Sequence, residues 1–163
     1  MKNLLYLLII PITFLSCKKK NHDPDPEPQT PNVIQGKFYG APFEAKVAIE
    51  RYTSFSMGNY KPEDLVCLYI SSNASRNCSS TLKEFSMRLT APKKPGTYSQ
   101  NDVYILTNDP RDPTGTEGAL FSSETTIITI TSVTADKVIG QVDIKRSEDN
   151  TELKGRFEAS VCR

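Results

Sequence analysis

The sequence predicts an all-β domain, a single antiparallel β-sandwich or flattened barrel of about eight strands, behind a signal peptide and a proline-rich stalk. Three observations predict it. Apolar residues recur at every second position after Asn32, and no window there carries a helical stripe. Turn-forming residues also divide the alternating runs.

The runs follow in order. Phe43, Ala45, Val47 and Ile49 alternate with Glu44, Lys46, Ala48 and Glu50. Leu65 to Ile70 is continuously apolar, which suits a central strand covered on both faces. Phe85, Met87 and Leu89 alternate with Ser86, Arg88 and Thr90. Ile127 to Ile130 is dense and flanked by threonine, adding β-branched propensity. Val138, Gly140, Val142 and Ile144 form the next stripe, and Leu153, Gly155, Phe157, Ala159 and Val161 the last. One wet face per strand fits antiparallel pairing. Tyr39-Gly40-Ala41-Pro42 predicts a tight turn, and Ala135-Asp136 and Glu148-Asp149-Asn150 fit hairpin connections.

The first 31 residues carry a different message. Lys2 precedes an apolar run from Leu4 to Leu15 that contains Pro11. Twelve helical residues rise only about 18 Å against a bilayer core of about 30 Å, so the run is too short to span. A charged start, a short apolar core and a small residue, Ser16, describe a secretory signal over residues 1–16. Ser16-Cys17 then resembles the lipobox of bacterial lipoproteins, whose cysteine is acylated before cleavage. This implies palmitate-type lipidation at Cys17, with Phe14 departing from the strict pattern. Residues 17–31 follow as a stalk. Prolines at 24, 26, 28 and 31 favour extended polyproline II, and Asp23, Asp25 and Glu27 repel one another.

Composition narrows the chemistry of residues 32–163. Lys2 and Lys18–Lys20 lie upstream, as do Asp23, Asp25 and Glu27. The 20 basic and 19 acidic residues of the chain therefore leave 16 of each in the domain. Such a balance gives no electrostatic basis for nucleic-acid binding. The sole histidine, His22, falls in the stalk, so the domain has none to assist a serine or cysteine nucleophile or to ligate zinc. Carboxylate-only chemistry of the glycosidase type stays open, without a singled-out acid pair. The expectation is no catalytic residue, no cofactor and no metal.

Four stretches carry a resemblance. They are GKFYGAPFEA (36–45), PGTY (95–98), ITITSVTADKVIGQVDI (128–144) and GRFEASVC (155–162). In this order after a lipobox they look like the small lipid-anchored β-domains of unknown function found in lipoproteins of the Bacteroidota. The resemblance spans most of residues 33–162. It implies a lipid-tethered β-domain at the outer membrane, periplasmic or surface-exposed, and brings no catalytic residues.

Cys67, Cys78 and Cys162 then lie in a compartment where disulfides persist. Cys67 sits within LVCLYI, where a buried inert thiol is usual, whereas Cys78 lies in a polar loop. Cys162 is on the outward phase of Glu158 and Ser160. The leading pairing is Cys78–Cys162, worth roughly 4 kcal/mol in the loop-entropy account, with Cys67–Cys78 or no bridge as alternatives. Asp109, Asp112 and Glu117 offer oxygen ligands without EF-hand spacing, and an Asp-Pro surface turn is the plainer reading. Lys93-Lys94 reads as a solvated turn. Tyr52 and Tyr60, in ERYTSFSMGNYKPED, are the candidate ligand-binding aromatics, because loops carry recognition.

The functional expectation is a non-enzymatic binding or accessory module, tethered to the outer membrane, with a polysaccharide or envelope protein as partner. The alternatives are a carboxylate-based hydrolase of envelope glycans and an inhibitory or structural envelope lipoprotein.

Overall fold

The computed structural model describes residues 33–111, 119–120 and 123–163. Residues 1–32, with Cys17, and Asp112 and Glu117 lie outside these. The described chain is all-β. Strands β1 (Gln35–Phe38), β2 (Ala41–Glu44) and β3 (Val47–Glu50) open it, followed by β4 (Leu65–Ser71), β5 (Met87–Pro92) and β6 (Gly96–Ser99). Then come β7 (Tyr104–Thr107), β8 (Ala119–Leu120), β9 (Thr125–Val133), β10 (Lys137–Arg146) and β11 (Thr151–Val161). Helix among the described residues is limited to single 3₁₀ turns at Pro62–Asp64, Leu82–Glu84 and Gln100–Asp102. None is long or apolar enough to cross a membrane.

One curled sheet holds every strand, in the order β6-β9-β10-β11-β3-β4-β5-β7-β8, with the β1–β2 hairpin attached to β11. Without the two-residue β8 this path has the expected eight strands. It forms a half-barrel, in which β6, next after β5 in the chain, lies at the far end of the order. The long hairpins sit where the stripes predicted them. β9 and β10 meet through Ala135-Asp136, closed by Thr134 N–H donating to the Lys137 carbonyl at 2.8 Å. β10 and β11 stay in register from Lys137–Ser160 to Arg146–Thr151.

One junction departs from antiparallel pairing. β3 runs parallel to β11 through Ser160–Ile49 and Val161–Glu50, whereas β1 pairs antiparallel with the earlier part of the same edge, at Glu152–Lys154. The edge changes partners near Gly155, whose φ is +146°. A Cβ there would lie 1.9 Å from the Val33 carbonyl oxygen. Only glycine admits that approach.

Two predicted stripes break. Phe43 to Ile49 is not one strand. Ala45 N–H donates to the Ile34 carbonyl and Lys46 N–H to the Ser71 carbonyl, so the chain leaves β1 and joins β4 between adjacent residues. Phe43 packs in the main core, while Ile49 faces the other side of the sheet. Phe85 likewise precedes β5 and leaves the face of Met87 and Leu89.

Two apolar layers result. Val66, Leu68, Ile70, Leu89, Ile128 and Phe157 belong to the main core. Ile49, Cys67, Tyr69 and Phe85 form a smaller cluster on the outer face of β3 and β4, joined by Val47 and Cys162. β4 is consequently buried along its whole length, as its unbroken apolar run predicted.

Candidate functional site

The outer layer is built from loops. Residues 72–86 descend over β4 and are fastened by the Cys78–Cys162 disulfide, with Cα atoms 5.5 Å apart. This is the leading pairing of the sequence analysis, and Cys67 is the free, fully buried thiol. Burial pushes that thiol up from its ordinary pKa, with the Thr90 hydroxyl, 3.5 Å from its sulfur, opposing. Within the loop, Glu84 pairs with Arg76 and caps the 3₁₀ turn through Thr81. Arg51 reaches from the end of β3 to the Ser80 carbonyl at 2.9 Å, and its guanidinium lies over the Tyr69 ring at 5.7 Å.

Between this layer and the sheet opens a cleft of about 260 Å³, lined by Tyr69, Leu82, Phe85, Met87, Arg88, Leu106 and Asn108. Its floor is a cross-strand row, since Tyr69 opposes Arg88 and Arg88 opposes Leu106. Asn108 fixes one wall by donating its side-chain amide to the Phe85 carbonyl at 2.7 Å. Arg88 is half-buried, with its guanidinium carbon over the Phe55 ring at 5.3 Å from the centroid. The arginine–carboxylate pairs among the described residues do not include it, and its Nε is buried without a hydrogen-bond partner.

A second, polar cleft of about 270 Å³ lies between the 52–61 loop and the Gln100–Asp102 turn, lined by Met57, Gly58, Asn59, Tyr60, Asn101 and Asp102. The loop is closed by reciprocal backbone bonds between Met57 and Tyr60 at 2.9 and 3.0 Å. The Tyr98 phenol is pushed up, first by partial burial and then by Tyr60 and Asp102.

These clefts sort the predicted site residues. Tyr60 is half-buried at the polar cleft, whereas Tyr52 is 72% exposed and lines neither. Asp109 is held by Arg111, which donates its backbone N–H at 2.8 Å and its guanidinium at 2.6 Å, an ordinary Asx-type turn. No group of three or more histidine, cysteine or acidic side chains gathers among the described residues. Lys93 and Lys94 are exposed at a bend, as the solvated reading has it, and the Lys93 ammonium lies 4.0 Å from the buried Glu50 carboxyl.

Arg88, Asn101 and Asp102 escaped sequence reasoning. Alternation placed Arg88 on a wet face, because nothing local announces that a distant loop folds over that face. A charge directly beside the doubly buried β4 was the available signal. Compared with protein-family models, curated proteins and solved structures, the chain matches none.

Proposed function

We propose that this is a lipid-tethered, non-enzymatic binding module of the bacterial outer membrane, and that it captures a polyhydroxylated ligand, an envelope polysaccharide, at the Tyr60 cleft. The observation that carries this reading is the chemistry of that cleft. One aromatic ring stands beside two amides, Asn59 and Asn101, and one carboxylate, Asp102, on two adjoining loops. Hydroxyl groups need neighbouring donors and acceptors, and a sugar ring's C–H face needs an aromatic platform. Loops on a rigid sheet are the usual carriers of such recognition.

The tether supports the same reading. The Ser16-Cys17 pattern and the proline-rich stalk would hold the module at a surface, where raised effective concentration lets a weak binder work without chemistry. Two or more acyl chains at Cys17 are needed for stable anchoring.

Site substitution tests the proposal. Tyr60→Ala and Asp102→Asn should each weaken glycan capture on an array by roughly tenfold, an interface hot-spot's worth. Tyr52→Ala, on the same loop but outside the lining, should have a smaller effect. Equal capture by the wild type and both cleft variants would overturn the site.

A further inference from the structure

The Arg88 cleft differs in kind from the Tyr60 cleft. Its lining is mainly apolar and aromatic, and Arg88 is its only charged member. The guanidinium carbon lies over the Phe55 ring, 5.3 Å from its centroid, and the group pairs through its N–H donors. Yet the only carboxylates that reach arginines across the described residues serve Arg76, Arg111, Arg146 and Arg163, and none serves Arg88. A half-buried cation without a counter-charge is costly unless something supplies one. The Tyr69 phenol shares a side-chain hydrogen bond with Arg88 and, its ionisation opposed first by burial, is a neutral partner that leaves the positive charge uncompensated.

We propose that the Tyr69–Arg88–Leu106 cleft binds a small organic monocarboxylate with a compact apolar body, such as a single-ring aryl acid. The carboxylate pairs with the Arg88 guanidinium, a geometry suited to two parallel hydrogen bonds. The apolar body lies among Leu82, Phe85 and Leu106. Size sets the class, since about 260 Å³ is slightly below the range of pockets for drug-sized ligands. The site is separate from the glycan cleft, and its occupancy does not depend on it.

Isothermal titration of the full chain with 3-phenylpropionate tests this, with acetate and neutral 3-phenylpropionamide as comparators. Wild type should bind phenylpropionate at least tenfold more tightly than either comparator. Arg88→Gln should remove that preference. Leu82→Trp, at a position already 43% exposed, should fill the cleft and abolish binding while the thermal midpoint holds. If Arg88→Gln fails to fold, the comparators and Leu82→Trp still decide. Absence of phenylpropionate binding at millimolar concentration, equal binding of the amide, or binding unchanged in folded Leu82→Trp would each overturn the proposal.

Discussion

Glu50 illustrates how a single side chain acts through its surroundings. Its backbone belongs to β3 and its carbonyl accepts the Cys162 N–H at 2.8 Å, so the side chain is fixed where the sheet is covered. Burial pushes its carboxyl above the ordinary range, and the Lys93 ammonium opposes only in part. A raised carboxyl means that the folded state holds its proton longer than the unfolded state. The associated stability is therefore complete below the unfolded pKa and is lost as pH rises through the folded one. Glu50→Gln should remove this loss, raising stability at neutral pH relative to wild type and flattening the slope just above the usual carboxylate range. Urea unfolding from pH 4 to 8 measures it. A Glu50→Gln protein less stable than wild type at pH 7 would show instead that the Lys93 pairing outweighs desolvation. Sequence alternation placed Glu50 on a wet strand face. Nothing near it in sequence shows that β11 pairs alongside β3 and sets Val161 opposite Glu50.

At the scale of elements, the long hairpins were legible because their registers follow from neighbours in sequence. The period-two stripes of β10 and β11 survive intact, interrupted only by the bulge between Ile139 and Gly140 against β9. Gly140 itself is needed there, since a Cβ would meet the Phe157 ring at 2.7 Å. The short strands were less legible. β2 and β3 looked continuous because a partner change between Ala45 and Lys46 leaves no mark on composition. The loop layer was visible only through its cysteines. Cys78–Cys162 spans 84 residues of sequence, and loop-closure entropy assigns such a bridge roughly 4 kcal/mol. The double variant Cys78→Ser, Cys162→Ser should lose stability of that order in denaturant titration. It should also expose Cys67 to alkylation at lower denaturant. An unchanged midpoint would mean that the apolar contacts of Leu82 and Phe85 hold the loop unaided.

For the whole molecule, the all-β class was legible because alternation and turns agreed along the chain. The candidate site was legible only as a loop, with Tyr60 but without Asn101 and Asp102, which lie some forty positions on and meet it only in the fold. The anchor is argued from sequence alone: Cys17→Ala should abolish metabolic fatty-acid labelling and release the protein from membranes, whereas unchanged labelling would refute lipidation there. A binding module captures its glycan without turnover, and this behaviour is open to measurement. It is tested most directly by incubating the purified full chain with envelope glycan fractions, following the complex by native mass spectrometry and the free glycans by chromatography. Intact glycan bound to the protein and an unchanged free-glycan profile are the expected result. New, shorter glycans that vanish when Asp102 is replaced by Asn would contradict it and make the protein a carboxylate-dependent hydrolase.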